Sequence, residues 1–277
     1  AWDYKSTAEG SYRAVVPDEG LDCHDLQMSQ HSANEFWGVS KTCPCKFYKT
    51  NSTGAEIETY EMENGEVALN HVQLHSNDSI AILSDKAMNS ILRFNLVDER
   101  IDWIAGGTYG TLALIDEDGN FRDRNSSLWY GQHNVEYFGN SEYFMFDDRT
   151  EFSRGAGRVS NSSRLVVVTI DDDNPVSATI DWSYDLGYWT PHFGDCDRLA
   201  TGNVLGVGFV GAEVNGSLPS FDMQVLEGVR ETKEVAWELR VIGDNTRAYQ
   251  ESASAYGWRA YSAERIYAKP LVYNVSC

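Results

Sequence analysis

The sequence predicts an all-β protein, and two observations support this fold class. Apolar residues alternate with polar residues at a period of two, which is the period of a strand with side chains on both sides of a sheet. These bursts are short and are bounded by clusters of Gly, Asn and Asp, which are typical of turns. Helical periodicity is nearly absent and amounts to a turn or two around residues 246–256.

Seven strands are clear from this alternation. In chain order they cover residues 79–84, 90–95, 100–104, 164–170, 178–182, 203–209 and 234–239. Between the third and fourth of them, Asp116-Glu-Asp-Gly-Asn120 resembles a calcium loop but lacks the glycine and the distal glutamate of an EF-hand. We therefore interpret this acidic run as a hairpin turn.

A weak internal repeat underlies the strands and refines the fold class. The repeat units begin at residues about 45 to 65 positions apart, namely His24, His71, His133 and Arg198. Three units end on an outer strand that carries a tryptophan: Trp103, Trp182 and Trp237. A four-stranded propeller blade has about this length, so we predict a β-propeller of four-stranded antiparallel blades in a single domain over residues 1–277.

Ring closure leaves several alternatives open. About four blades are evident, whereas a closed ring such as a six-bladed one needs more sheets. The sequence is therefore a fragment of a longer chain, or another chain or segment completes its propeller. The third alternative is that residues 1–22 and 240–277 contain degenerate blades. A β-sandwich with the same strand content is the structural alternative.

Composition and charge exclude some classes of partner. The 277 residues are 42% hydrophobic, which is enough for an ample core. The 42 acidic and 22 basic residues give a net charge of -20, and this field would repel nucleic acids and anionic membranes. The chain also has no apolar run of about 18 residues that would insert into a membrane. We expect no nucleic-acid partner and no membrane insertion.

Export is predicted from acceptor sites for N-glycosylation. Six Asn-x-Ser/Thr sequences occur, where chance would give about two, and they begin at Asn51, Asn77, Asn125, Asn161, Asn215 and Asn274. This excess indicates a secreted glycoprotein, although a polar surface rich in Asn and Ser is the alternative. The N-terminus does not read as a signal peptide, so we expect any such segment to have been removed already.

Five cysteines fit the oxidising compartment that export implies. We expect disulfides within the set Cys23, Cys43, Cys45, Cys196 and Cys277. A bond between Cys43 and Cys45 would be strained, so one of them more plausibly pairs with Cys23. The odd number leaves one thiol over, and Cys277 is a candidate for pairing outside the chain. The spacing does not match a zinc site.

Three of the six histidines lie at the start of a repeat unit, which is the pattern expected of a functional site. In a propeller the starts of the innermost strands face the central channel, so His24, His71 and His133 would converge there although they are distant in sequence. Each of them taken alone is more often a hydrogen-bonded strand residue. Together they predict a shared site.

Several motifs in order make the chain similar to the arylsulfotransferase family. The segment that runs from Trp129 through Gln132-His133 to Phe146-Asp-Asp148 resembles the family's Gln-His segment. The stretch from Leu69 to Lys86 is similar to its His-x-Asn and Ser-x-Arg segments. Further matches are Trp103-Ile-Ala-Gly-Gly107, Ser163-Arg164 and Arg198-Leu-Ala-Thr-Gly-Asn203. The resemblance extends from about Leu21 to about Pro270.

This resemblance implies a propeller fold and sulfuryl transfer from an aryl sulfate to a phenol. It implies that His133 is the transiently sulfurylated acceptor, and that His24 and His71 bind the sulfuryl oxygens or assist proton transfer. No nucleotide cofactor is expected, because the phosphate-binding loop motif is absent, and no metal is expected either.

Two positions depart from the family's pattern. Gln73 stands where the family has asparagine, and Lys86 stands where it has arginine. Lysine provides a compact positive charge without the planar, two-pronged contact of a guanidinium. Both residues are kept as candidate catalytic residues. The alternative is a catalytically impaired propeller that acts as an extracellular binding or structural glycoprotein.

Overall fold

The computed structural model of this chain describes residues 21–40, 45–62, 68–151, 157–212, 220–242, 256–257 and 260–265. These ranges contain 21 β-strands and no helix, so the all-β prediction is confirmed. Accordingly, the described segments include no helix long and apolar enough to cross a membrane. The short helix expected around residues 246–256 lies outside the described residues, except for Tyr256, which is in a strand.

The first two sheets are antiparallel, and each strand pairs with its neighbour in sequence. The first sheet consists of β1 (Leu21–Met28), β2 (Glu35–Ser40), β3 (Lys46–Asn51) and β4 (Glu56–Glu61). The second sheet consists of β5 (Leu69–His75), β6 (Ile80–Asp85), β7 (Ser90–Asn95) and β8 (Arg100–Ala105). This four-stranded meander is the arrangement of a propeller blade.

The third sheet has the same meander and two additional strands. The strands of this region are β9 (Ala113–Ile115), β10 (Phe121–Arg122), β11 (His133–Tyr137), β12 (Glu142–Asp147), β13 (Thr150–Glu151), β14 (Gly157–Arg158), β15 (Arg164–Ile170) and β16 (Ser177–Asp185). The sheet order is β10-β9-β16-β15-β12-β11, and β13 and β14 form a separate ribbon. Strand β9 runs parallel to β16. The acidic run is the predicted turn between β9 and β10, where Asp116 Oδ1 accepts hydrogen bonds from the backbone of Asp118 and Asn120.

The fourth sheet completes the described part of the fold. It consists of β17 (Asp195–Arg198), β18 (Val204–Ala212), β19 (Ser220–Gly228) and β20 (Val235–Val241), with β21 (Tyr256–Gly257) parallel to β19. The innermost strands of the four sheets are in contact in succession, β1 with β5, β5 with β11 and β11 with β17. Four sheets arranged side by side through their first strands are blades of a β-propeller.

Strand periodicity explains why the sheets stack face to face. On β12, Tyr143 and Met145 point into a core shared with the second sheet, whereas Phe144 and Phe146 point into a core shared with the fourth. The first and second sheets enclose a further core around Trp37. A β-sandwich has one core between two sheets, so this succession of cores rules out the alternative architecture.

One close approach between the third and fourth sheets requires a residue without a side chain. A Cβ atom at Gly206 on β18 would lie 2.3 Å from Leu165 Cδ1 on β15. Leu165 is fully buried in the core between these sheets. The glycine therefore allows the two sheets to pack at this distance.

The repeat is confirmed in its period and corrected in its fourth unit. Trp103, Trp182 and Trp237 lie on the outer strands β8, β16 and β20, as predicted. The innermost strand of the fourth sheet begins at Asp195 and not at Arg198, where the fourth unit was predicted to begin. Asp195 is the first residue of its strand, as His133 is the first residue of β11. The completion of the ring by another chain or segment stays a prediction.

Candidate active site

His133 is the first residue of β11, and the preceding residue fixes its position. Gln132 is fully buried, and its Nε2 lies 3.2 Å from Ser84 Oγ, 3.0 Å from Asp85 O and 2.9 Å from Ser90 O. These acceptors all belong to the second sheet. The start of β11 is therefore attached to the neighbouring blade through one amide.

The imidazole of His133 is held between Asn70 on β5 and Asp148, which directly follows β12. Asn70 Nδ2 lies 3.0 Å from His133 Nδ1 and donates a 2.8 Å hydrogen bond to Gln132 O. On the other side of the ring, His133 Nε2 lies 3.1 Å from Asp148 Oδ2. The side chains of His133 and Asp148 are only 1% and 0% exposed. The ring is thus buried and has a defined orientation.

The electrostatics of Asp148 follow from its burial. Burial and the adjacent Asp147 carboxylate raise the pKa of Asp148 well above its ordinary value, while the positive charge of Lys86 opposes this shift. Asp147 itself faces elsewhere, because it accepts a 2.8 Å hydrogen bond from Arg164 Nε and a 2.9 Å hydrogen bond from Tyr130 N.

His71 lies in an adjoining network. It is buried on β5, next to Asn70, and it acts to lower the pKa of Asp195 at the start of β17. Burial raises the pKa of Asp195 to about 6, and hydrogen bonds from Asn134 and from the Cys196 backbone oppose the shift. Since Asn134 follows His133 directly, His71 and His133 lie in neighbouring networks, while their convergence on one shared site stays a prediction.

A second carboxylate on β17 extends this network along the inner strands. Burial raises the pKa of Asp197 to about 9, and the nearby carboxylates of Asp195, Glu136 and Glu264 add to the increase. Within the described residues, no group of His, Cys, Asp and Glu side chains is arranged to hold a metal ion.

The remaining predicted site residues take different positions. Lys86 begins the turn after β6, and its charge acts on Asp148. Gln73 binds the backbone of Tyr137, because its Oε1 accepts a 2.7 Å hydrogen bond from Tyr137 N and its Nε2 lies 3.4 Å from Tyr137 O. Its amide therefore links β5 to β11. His24 lies on β1, but its side chain is outside the described part of the structure.

The comparison with protein families decides the identification. A model described as Arylsulfotransferase (ASST) matches residues 67–250, a range that contains His71, His133 and more than half of the chain. This chain belongs to the arylsulfotransferase family. No curated protein matches it.

Two of the solved structures that match this arylsulfotransferase-family chain share little of its sequence. Hydrazine synthase of Kuenenia stuttgartiensis matches with 11% identity and a TM-score of 0.47 over 84% of this chain and 69% of its own. A Bacteroides fragilis protein with a provisional assignment as a 6-phosphogluconolactonase matches with 10% identity and a TM-score of 0.44 over 84% of this chain and 60% of its own. Similarity at this level transfers no activity.

Four side chains near His71 and His133 were not predicted as site residues from the sequence: Asn70, Asn134, Asp148 and Asp195. The acidic pair after this strand was visible in the sequence, but the structure was needed to single out Asp148, which lies two residues beyond Phe146, the partner of His133. Asn70 and Asn134 were adjacent to predicted site residues. Asp195 could not be predicted from the repeat, whose fourth unit began at Arg198.

An aromatic ring next to His133 was also missed. The Tyr261 ring lies 6.2 Å from the His133 ring in an edge-on arrangement, and Phe193 lies 5.7 Å from Tyr261. Residue 261 lies far from every motif in the sequence, so no local signal indicated this contact. The aromatic residues near His133 in sequence, such as Trp129 and Phe144, are instead fully buried in the core.

The structure corrects the predicted disulfides at one residue, Cys196. Cys196 is a buried free thiol, and its Sγ lies 3.9 Å from Val166 O. It points into the apolar core between the third and fourth sheets, and this explains why it is not paired. Cys45 is buried, while the side chain of Cys23 and the whole of Cys43 and Cys277 lie outside the described residues.

Proposed function

We propose that this chain transfers a sulfuryl group from an aryl sulfate to a phenol through a sulfo-histidine formed on His133. The observation that carries the proposal is the setting of this ring, with an amide donor at one nitrogen and a carboxyl group at the other. A nucleophilic imidazole requires such an orienting partner, as in other sites that use covalent catalysis. Family membership supports the same activity.

The chemistry would proceed in two steps. A ring nitrogen of His133 attacks the sulfur, the bond from sulfur to the aryl oxygen breaks, and the electron pair leaves with the phenolate. A second phenol then attacks the sulfo-histidine and loses its proton, and the imidazole is restored. In both steps negative charge develops on the sulfuryl oxygens, so donors around them lower the barrier.

The described residues offer several such groups. Asn70 already donates toward the ring, Lys86 contributes positive charge near Asp148, and His71 lies in the adjoining network. We assign His71 and His24 to the binding of the sulfuryl oxygens. Gln73 has a smaller part in this proposal, because its amide holds the backbone of Tyr137.

The experiment is an assay with a chromogenic aryl sulfate and a phenol as acceptor. We expect release of the chromogenic phenol that depends on the acceptor and is abolished in His133→Ala. The matched control is His31→Ala, because His31 is exposed and bonds to Asn77 O on the surface. Mass spectrometry should find a sulfuryl group on the peptide that contains His133.

One specific observation favours a second candidate function. His133 is 1% exposed and both of its ring nitrogens lie close to polar side chains, which is also the setting of a histidine with a purely structural role. The alternative is a catalytically impaired propeller that serves as an extracellular binding or structural glycoprotein. Absence of phenol release at every acceptor concentration would favour this alternative.

We also propose that the protein is secreted and glycosylated. Asn77, Asn125 and Asn161 are exposed in turns, where an oligosaccharide can be attached, and Asn51 is half-buried at the end of β3. Asn215 and Asn274 lie outside the described residues. After expression in a eukaryotic secretory host, we expect glycosidase-sensitive peptides at the exposed sites. Unmodified asparagines at all six positions would contradict the proposal.

A further inference from the structure

The amide of Asn70 determines which nitrogen of His133 carries the proton. Asn70 Nδ2 lies 2.8 Å from Gln132 O, and a backbone carbonyl can only accept a hydrogen bond. The amide nitrogen, and not the amide oxygen, must therefore occupy this position. The same nitrogen lies 3.0 Å from His133 Nδ1, to which it presents its second hydrogen.

Two donors cannot face each other at that distance, so His133 Nδ1 must be the acceptor and carry no proton. In a neutral imidazole the proton is then on Nε2. Nε2 lies 3.1 Å from Asp148 Oδ2, so the carboxylate attracts the N–H group electrostatically although the two atoms are not aligned as a hydrogen bond. The carbonyl of Gln132 thus fixes the orientation of the Asn70 amide, and this amide makes Nδ1 of His133 a hydrogen-bond acceptor. Asp148 lies at the other nitrogen, Nε2.

We propose that Asp148 is a positioning residue that holds His133 as the Nε2–H tautomer, so that Nδ1 is the nitrogen that accepts the sulfuryl group. This inference rests on the proposed function and specifies its reacting atom. The lone pair on Nδ1 forms the bond to sulfur, the bond from sulfur to the aryl oxygen breaks, and the phenolate leaves with the electron pair. Asn70 then transfers its hydrogen bond from the lone pair to a sulfuryl oxygen.

Asp148 is suited to this role by its place in the sheet. It follows β12 directly, and His133 pairs with Phe146, so the position of the carboxyl group beside the ring follows from the pairing of β11 with β12. The adjacent Asp147 has the same burial but binds Arg164 and Tyr130. The chain therefore contains its own control, a second buried carboxylate one residue away that is directed away from the ring.

The first test is the tautomer of the wild-type protein. Long-range proton–nitrogen correlation spectra of protein labelled with ¹⁵N-histidine distinguish a protonated ring nitrogen from an unprotonated one, and the signals of His133 are assigned by their loss in His133→Gln. We expect an unprotonated Nδ1 and a protonated Nε2. A protonated Nδ1 would overturn the proposal.

The second test is Asp148→Asn, measured against Asp147→Asn. An amide at position 148 offers a donor as readily as an acceptor, so the tautomer is no longer fixed. We expect kcat for sulfuryl transfer to fall about 10³- to 10⁴-fold, as when a carboxylate that orients a catalytic imidazole is replaced, with little change in KM. Asp147→Asn should retain the wild-type tautomer. Equal changes in the His133 spectrum of both variants would overturn the positioning role.

The outcomes separate this inference from the proposed function. A wild-type protein that shows the Nε2–H tautomer but transfers no sulfuryl group would end the proposed function and, with it, the assignment of Nδ1 as the acceptor. If Asp148→Asn does not fold, Asn70→Ala replaces it, because removal of the donor at Nδ1 should also weaken the tautomer preference. An unchanged tautomer ratio in Asn70→Ala would contradict the argument.

Discussion

His133 and Asp148 show how far residue-scale inference reaches. The sequence predicted a histidine at the head of a strand that runs into an acidic turn, and the structure confirms that position. The choice between Asp147 and Asp148 depends on the register between β11 and β12, which is interrupted by a bulge. A shift by one residue would direct the other carboxylate to the ring, and alternation alone does not locate a bulge.

The carboxyl group of Asp197 predicts a pH dependence of stability. Its pKa is raised to about 9 by burial and by the carboxylates of Asp195, Glu136 and Glu264. The folded state therefore retains a proton that the unfolded state releases near pH 4. This contribution to stability is complete below about pH 4 and is lost as the pH rises through about 9.

As the pH is raised from 5 to 9, the free energy of unfolding should fall less in Asp197→Asn than in the wild-type protein. Urea unfolding at several pH values measures this difference. The control is Asp118→Asn, which makes the same change of charge on an exposed turn. It should leave the pH dependence unchanged. Parallel curves for wild type and Asp197→Asn would show that this group does not titrate as described.

Gly194 provides a test of backbone strain beside the site. Its φ is +105°, and a Cβ atom would lie 2.6 Å from Cγ of Phe146, the cross-strand partner of His133. Gly194→Ala should lower the free energy of unfolding by about 2 to 4 kcal/mol. Gly187 has a φ of +77° and no neighbour within 4 Å, so Gly187→Ala should cost about 1 kcal/mol. Equal losses in urea unfolding would contradict the steric explanation.

At the scale of elements, the predictions from periodicity were accurate. The strands expected at residues 90–95 and 164–170 have those bounds in the structure. They were recognisable because both faces of the central strands are buried between neighbouring sheets, which requires dense apolar sequence. The additional strand β9 was not predicted, because a three-residue strand that pairs in parallel with a distant strand leaves too short a pattern.

The contact of Gly206 with Leu165 tests the packing of the third sheet on the fourth. Gly206→Ala would place a methyl group against Leu165 and should destabilise the protein by about 1 to 3 kcal/mol. Leu165→Ala opens a cavity and should cost about 2 to 5 kcal/mol. Because the new methyl group partly fills that cavity, the double variant should lose less free energy of unfolding than the two single variants lose in sum. Additive losses would show that the two residues do not meet.

At the scale of the whole molecule, charge and repeat period were readable from the sequence, but the assembly of the site was not. The starts of β5, β11 and β17 come from three blades, and their juxtaposition depends on the stacking of complete sheets. His71 and His133 lie on innermost strands, as expected from the repeat, because each is near the start of a unit. Tyr261 has no such marker and reaches His133 only through the tertiary fold.

The net charge of -20 predicts that salt stabilises the folded protein. Compact states with a large net charge are destabilised by self-repulsion, which dissolved ions screen over about 10 Å at 0.1 M. We expect the thermal midpoint to rise between low salt and about 0.15 M NaCl. KCl should have the same effect, because screening depends on ionic strength. A fall of the midpoint would indicate that ion pairs outweigh the repulsion.

The hydrogen bonds of Gln132 have a mechanical consequence. Separation of the second and third sheets would remove the three buried acceptors of its amide together, at a cost of about 1 to 3 kcal/mol for each unsatisfied group. On the other side of the third sheet, Arg230 and Arg198 reach Glu142 from the partly exposed rim, where water can replace them. We therefore expect the second and third blades to resist separation at their inner strands more strongly than the third and fourth blades do at this rim.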